Sequence, residues 1–126
     1  MVEDDAHSLM AISALLKELG ILYKRNTTGS DVVEKALSMR PKPDFILLDL
    51  NLPHGDAFQI LRAFKAHPLL ARVPVIAIAD ERYHDLISKT RAAGFAGFIA
   101  KPLPRRMFGE LLQRILGGEQ VWQVLA

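Results

Sequence analysis

Two stretches of this chain are apolar without interruption, and each runs into an aspartate. Phe45-Ile46-Leu47-Leu48 leads directly to Asp49, and Val73-Pro74-Val75-Ile76-Ala77-Ile78-Ala79 leads to Asp80. A strand with one wet face alternates apolar and polar side chains. A continuous apolar run instead suits a strand covered on both faces, as in a parallel sheet layered with helices. Pro74 has no N–H to contribute to a ladder, which places it at the strand entry.

Segments that can supply those helices are interleaved with the runs. Leu9, Ile12, Leu15, Leu16 and Leu19 recur at helical spacing, with Gly20 as the stop. Residues 21–24 predict a short strand, and Ser30 is read as the N-cap of a helix over 31–39, before Pro41 and Pro43. A further helix over 57–66 buries Phe58, Ile60, Leu61 and Phe64 and ends at His67-Pro68. Another spans about 83–93 and is closed by Gly94, and residues 97–100 form a short strand. Pro104 falls in the first turn of a last helix, where its missing N–H costs nothing, and that helix ends near Gly117-Gly118. Alternation of strands and helices predicts an α/β fold built on a parallel sheet. The 126 residues, half of them apolar, suit a single domain. It is expected over residues 1–118, with 119–126 as a C-terminal tail whose Trp122 packs loosely.

Composition excludes several function classes. With no cysteine there is no disulfide and no thiolate metal site. No apolar run approaches the roughly 20 residues that span a bilayer, and the acidic residues after Met1 are unlike a secretion signal. A formal charge of +2 is too small to argue for nucleic acid. The expectation is a cytoplasmic protein with no direct nucleic-acid or membrane partner. His7, His54, His67 and His84 share no spacing and are read as surface residues. No Gly-rich phosphate loop is present.

In open α/β sheets, functional groups gather beyond the carboxyl ends of the strands. Glu3 and Asp4 follow Val2, Asp49 ends the Phe45 run, and Lys101 follows the Phe98 strand. Crowded carboxylates repel one another, and a hard divalent cation with oxygen ligands, Mg2+, relieves that repulsion. Without thiolates or a histidine cluster, zinc is disfavoured. Lys101 adds a compact positive charge for Asp49 or for an incoming phosphoryl oxygen. An aspartate in such surroundings is a suitable phosphoryl acceptor.

The segments Val2-Glu3-Asp4-Asp5, Asp49-Leu50-Asn51-Leu52-Pro53 and Lys101-Pro102 resemble those of receiver domains of two-component response regulators. Pro74 to Ile78 and Ala92 to Phe98 match as well, so the resemblance covers residues 2–116. It implies a doubly wound, flavodoxin-like (CheY-like) single domain of three layers. Residue by residue, it implies Asp49 as the phosphorylated aspartate, Asp4 as a direct Mg2+ ligand and Glu3 as a water-mediated one. The carbonyl of Asn51 completes the protein ligands, Lys101 contacts the phosphoryl group, and the bond before Pro102 is cis. Phe98 falls at the aromatic switch position. A histidine kinase or histidine phosphotransfer protein donates the phosphoryl group. An output or homodimer partner sits on the Phe98 face, which also offers Arg91, Arg105 and Arg106.

The chain departs from that pattern in three places. Ala79 stands where the family carries a switch Ser or Thr, and Asp80 and Glu81 follow where a small neutral residue is usual. Ala57 follows Asp56 where glycine usually begins the helix. Only Met1 and Val2 represent the family's first strand, so a truncated strand is expected, with Met1 as an internal methionine of it. Ala79 and Asp80 favour an alternative, a phosphate-independent pseudo-receiver that docks a partner, while the intact acidic set opposes it. A phosphatase of the haloacid dehalogenase type ranks last, because Asn51 stands where a second aspartate is required.

Overall fold

The computed structural model describes residues 1–27, 29–52, 56–80 and 85–123. In chain order it contains α1 (Ala6–Glu18), α2 (Val32–Ser38), β1 (Ile46–Asp49), α3 (Ala57–Ala66), β2 (Val75–Asp80), α4 (Ile87–Ala93), β3 (Gly97–Lys101), α5 (Phe108–Leu116) and β4 (Val121–Gln123). The strands form one parallel sheet in the order β1-β2-β3-β4. Asp49 lies opposite Ile78, and Asp80 opposite Lys101.

Both faces of the sheet are covered, as the uninterrupted apolar runs require. Leu47, Ile76, Ile78 and Ile99 pack against Ile12, Leu15 and Leu16 of α1 and Phe108, Leu111, Leu112 and Ile115 of α5. Leu48, Val75, Ala77, Ala79 and Phe98 face the other way, against α2, α3 and Ile87 of α4. The α5 residues recur at i, i+3, i+4 and i+7 and are all buried, each contributing roughly 1.5–3 kcal/mol of transfer free energy. Asp5 begins α1 by accepting the Ser8 N–H at 2.8 Å, and Asp56 begins α3 by accepting the Phe58 N–H at 2.8 Å.

Several sequence expectations are corrected. Residues 21–24 are not a strand. Pairing on that side is confined to Val2, which makes parallel bridges to Leu48 and Asn26. The Asn26 N–H reaches the Met1 carbonyl at 2.8 Å and the Glu3 N–H reaches the Asn26 carbonyl at 3.0 Å. The Met1 ammonium also donates to the Lys24 carbonyl at 2.9 Å, but residues 21–24 enter no ladder, and Leu22 is 91% exposed. The residue at the start of α2 is Asp31, in the left-handed conformation at φ 54°, rather than Ser30. Pro104 lies ahead of α5. Its carbonyl accepts from Met107 and Phe108, so it closes the turn that leads into the helix. The start expected for α4 at Tyr83 lies outside the described residues, within which the helix begins at Ile87. The tail is not loose through residue 123. Val121–Gln123 adds a parallel strand outside β3, at the opposite end of the sheet from Val2, and Val121 is buried.

Candidate functional site

Parallel strands point every carboxyl end to the same rim, and alternation decides which face each last side chain takes. Ile76 and Ile78 face the α1/α5 layer, so Asp80 falls on that face by its period of two. Leu47 and Ile99 place Asp49 and Lys101 there in the same way. The bonds from Val2 N–H to the Leu47 carbonyl (2.7 Å) and from Asp49 N–H to the Val2 carbonyl (3.0 Å) bring Glu3 beside Asp49.

The result is a compact charged cluster. Lys101 Nζ donates to Glu3 Oε1 at 2.9 Å, to Glu3 Oε2 at 3.2 Å and to Asp49 Oδ2 at 3.2 Å. The Asn51 N–H donates to Asp49 Oδ1 at 3.0 Å. Glu3 is fully buried and Asp49 nearly so, whereas Asp4 is exposed. One carboxylate oxygen each from Glu3, Asp4 and Asp49 lie within 4.8 Å of one another. Burial pushes the Glu3 carboxyl up to about 7, helped by the adjacent Asp49 and opposed by Lys101. Burial alone would lower Lys101, but its bond to Glu3 and the charge of Asp49 outweigh it and raise the ammonium. The site is short of positive charge, and Lys101 is shared between two carboxylates.

A cavity of about 550 Å³ opens over this cluster, lined among others by Asp4, Asp49, Asn51, Asp80, Lys101 and Pro102. The Lys101-Pro102 bond is cis, as the resemblance implies. His7, expected as a surface residue and indeed exposed, and Ser8 were given no part in the site by sequence. His7 and Ser8, in the first turn of α1, border the cavity because that helix starts directly after the acidic pair. Their position in the chain was the available signal. His54 and His84 lie outside the described residues. Ala79 is fully buried in the layer of Ala77, Phe98 and Ala100. Phe98 is also fully buried, so its ring offers no surface of its own. Of the basic residues expected beside it, Arg91 stacks over Trp122 with 5.6 Å to the ring centroid, and Arg105 pairs with Glu18 of α1 at 3.3 Å.

The family model described as the response regulator receiver domain matches residues 1–115. This chain belongs to that family. The receiver is 30% identical over 117 residues to the chemotaxis protein CheY of Pseudomonas aeruginosa, covering 91% of this chain and 92% of that one. It is 28% identical over 120 residues to the signal transduction histidine-protein kinase BarA of Escherichia coli, covering 95% of this chain but 13% of the kinase. Among solved structures, the receiver domain of a sensor histidine kinase from Pseudomonas aeruginosa superposes with a TM-score of 0.80. It is 31% identical and the match covers 92% of this chain and 93% of that one. That structure holds a magnesium ion coordinated in its active site cleft. The doubly wound flavodoxin-like fold expected from the sequence is therefore the fold of this receiver. No helix among the described residues is long and apolar enough to cross a membrane.

Proposed function

We propose that this receiver accepts a phosphoryl group on Asp49, from a phosphohistidine of a histidine kinase or histidine phosphotransfer protein, in the cytoplasm. The observation that carries the reading is the placement of Lys101 Nζ between Glu3 and Asp49, with an oxygen of Asp4 within 4.8 Å of theirs, at the carboxyl rim of a parallel sheet. A carboxylate oxygen of Asp49 attacks the phosphorus, the P–N bond breaks, and its electron pair returns to the donor imidazole. The Asn51 N–H and Lys101 hold the Asp49 carboxylate in one orientation. Lys101 then follows the transferred group, donating to a phosphoryl oxygen in place of the carboxylate.

The donor set fits Mg2+, since it is all oxygen and carries more negative charge than Lys101 neutralises. Asp4 and Asp49 would hold the ion with the Asn51 carbonyl, and Glu3 would hold it through water. When bound, Mg2+ neutralises charge that develops on the transferred group.

Acetyl phosphate with Mg2+ tests the reading through the intact mass of the protein. Wild type gains one phosphoryl group, and Asp49→Ala does not. An undiminished adduct in the variant removes Asp49 as the acceptor. A folded wild type that gains nothing supports the second reading, a docking module indifferent to phosphate. Two observations favour that alternative: Ala79 has no hydroxyl, and Asp80 brings a further carboxylate to the cavity.

A further inference from the structure

Asn26 is a buried polar residue, and its main chain and side chain are bonded in two different directions. Its N–H donates to the Met1 carbonyl at 2.8 Å, and its carbonyl accepts the Glu3 N–H at 3.0 Å. Val2, between those two residues, is held from its other side by Leu47 and Asp49. The acidic pair therefore has no long ladder to fix it. On one side it hangs from β1. On the other it hangs from Asn26, with the Met1 ammonium on the Lys24 carbonyl behind it.

The side chain of Asn26 reaches the loop that follows. Its Oδ1 accepts the Gly29 N–H at 2.9 Å, and its Nδ2 donates to the Ser30 carbonyl at 2.8 Å. A carboxamide suits both tasks because it carries an acceptor and a donor on one planar group. These bonds hold Gly29 against Leu52. A Cβ on Gly29 would stand 3.2 Å from Leu52 Cδ1 and 3.5 Å from Leu52 Cβ, and its φ of 84° already favours glycine. Leu52 supplies the nitrogen of the peptide whose carbonyl belongs to Asn51. Packing on Leu52 thus orients that carbonyl, while the Asn51 N–H holds Asp49 Oδ1 at 3.0 Å.

We propose that Asn26 is a positioning residue for the Mg2+ site. Its main chain sets the acidic pair Glu3 and Asp4, and its side chain, through Gly29 and Leu52, sets the Asn51 carbonyl. It acts on the ligands and not on the ion. Groups behind the ligands fix their orientation in advance, and ligands already in place lose less freedom when the ion arrives. The inference rests on the Mg2+-assisted phosphoacceptor reading and deepens it.

The test titrates the full, EDTA-treated chain with Mg2+ alone and follows the amide NMR shifts of Asp49 and Asn51. Wild type should saturate, and Asn26→Ala, which keeps the main-chain bonds and loses both side-chain bonds, should need roughly ten times more Mg2+. Asn26→Ser, whose hydroxyl can again accept the Gly29 N–H, should recover part of the loss. Leu52→Ala leaves every bond of Asn26 in place and should weaken Mg2+ binding by a similar factor. Because both substitutions break one linkage, the double variant should lose much less than the product of the two. Ile115→Ala controls for plain loss of stability. It truncates the core beside Gly97, at the opposite end of β3 from Lys101, and should keep wild-type affinity. Wild-type affinity in a folded Asn26→Ala or in Leu52→Ala overturns the proposal. So does a multiplicative loss in the double variant, or an Ile115→Ala chain weakened as much as Asn26→Ala. If Asn26→Ala does not fold, Asn26→Ser and Leu52→Ala carry the test, and wild-type affinity in both overturns it. A wild type with no saturable shift, or with one that persists in Asp4→Ala, removes the Mg2+ reading itself and this inference with it.

Discussion

Glu3 illustrates how one side chain ties stability to chemistry. Its carboxyl is buried beside Asp49 and pushed up to about 7 from an ordinary value of 4.5. In the metal-free protein the native state therefore keeps a proton that the unfolded chain releases. The stabilisation is fully present below pH 4.5 and is lost as pH rises to about 7. Glu3→Gln removes the linkage. In EDTA, its urea midpoint should change less between these pH values than that of wild type. Parallel pH profiles for the two proteins would show that Glu3 is ionised throughout. Ala79 is the other informative residue. Thr at this position adds a hydroxyl and a methyl group to a fully buried site, at a cost of about 1–3 kcal/mol by overpacking. In return, a hydrogen bond to a phosphoryl oxygen contributes roughly 1.5–3 kcal/mol to one state only. That favours the switched state roughly ten- to hundredfold. Phosphorylated Ala79→Thr should show larger NMR shifts around Phe98 and α5 than phosphorylated wild type. If wild type already switches fully and the variant adds nothing, the coupling runs through another contact.

The helices contribute through their ends as well as their buried faces. Asp56 accepts the Phe58 N–H, an otherwise orphaned donor in the first turn of α3. Asp56→Ala should lower stability by about 0.5–2 kcal/mol in chemical denaturation and speed hydrogen exchange at Phe58. An unchanged midpoint would mean that Phe58 finds another acceptor. The strand ends show the complementary rule. A continuous apolar run makes a doubly covered strand, and the first charged residue after it marks where the chain leaves the core. That rule located β1, β2 and their terminal aspartates in the sequence. It failed at residues 21–24, where Ile21 and Tyr23 pack against the α1/α5 core without joining a ladder. It also undervalued residues 121–123, whose strand pairs closely only because Gly97, more than twenty positions earlier, has no side chain.

At the scale of the molecule, four chain segments converge on one rim, and a cation there should act as a staple. A ligand that binds only the native state stabilises it by RT ln(1 + [L]/Kd), about 2.7 kcal/mol at a hundredfold excess over Kd. Saturating Mg2+ should raise the melting temperature of wild type by several degrees and leave Asp4→Ala unchanged. Calcium-free, EDTA-treated protein provides the baseline, and differential scanning calorimetry the measurement. An equal rise in both proteins would place the ion elsewhere.

The layered α/β architecture was already legible in the apolar pattern, because uninterrupted apolar strands are buried between helices. The pattern also showed which residues meet at the rim, because parallel strands present all their carboxyl ends together. Glu3, Asp4, Asp49 and Lys101 were legible on those grounds and on their family-like spacing. How the charges are shared emerges only in the packed fold. The ranking of Lys101 partners, the burial of Glu3 and the entry of His7 into the cavity depend on packing between segments up to 98 positions apart. Local pattern carries no distance of that kind. The docking of β4 was decided in the same way. Val121 and Trp122 are apolar in any conformation, but only the edge of β3, cleared at Gly97 and flanked by α4 and α5, makes them a strand.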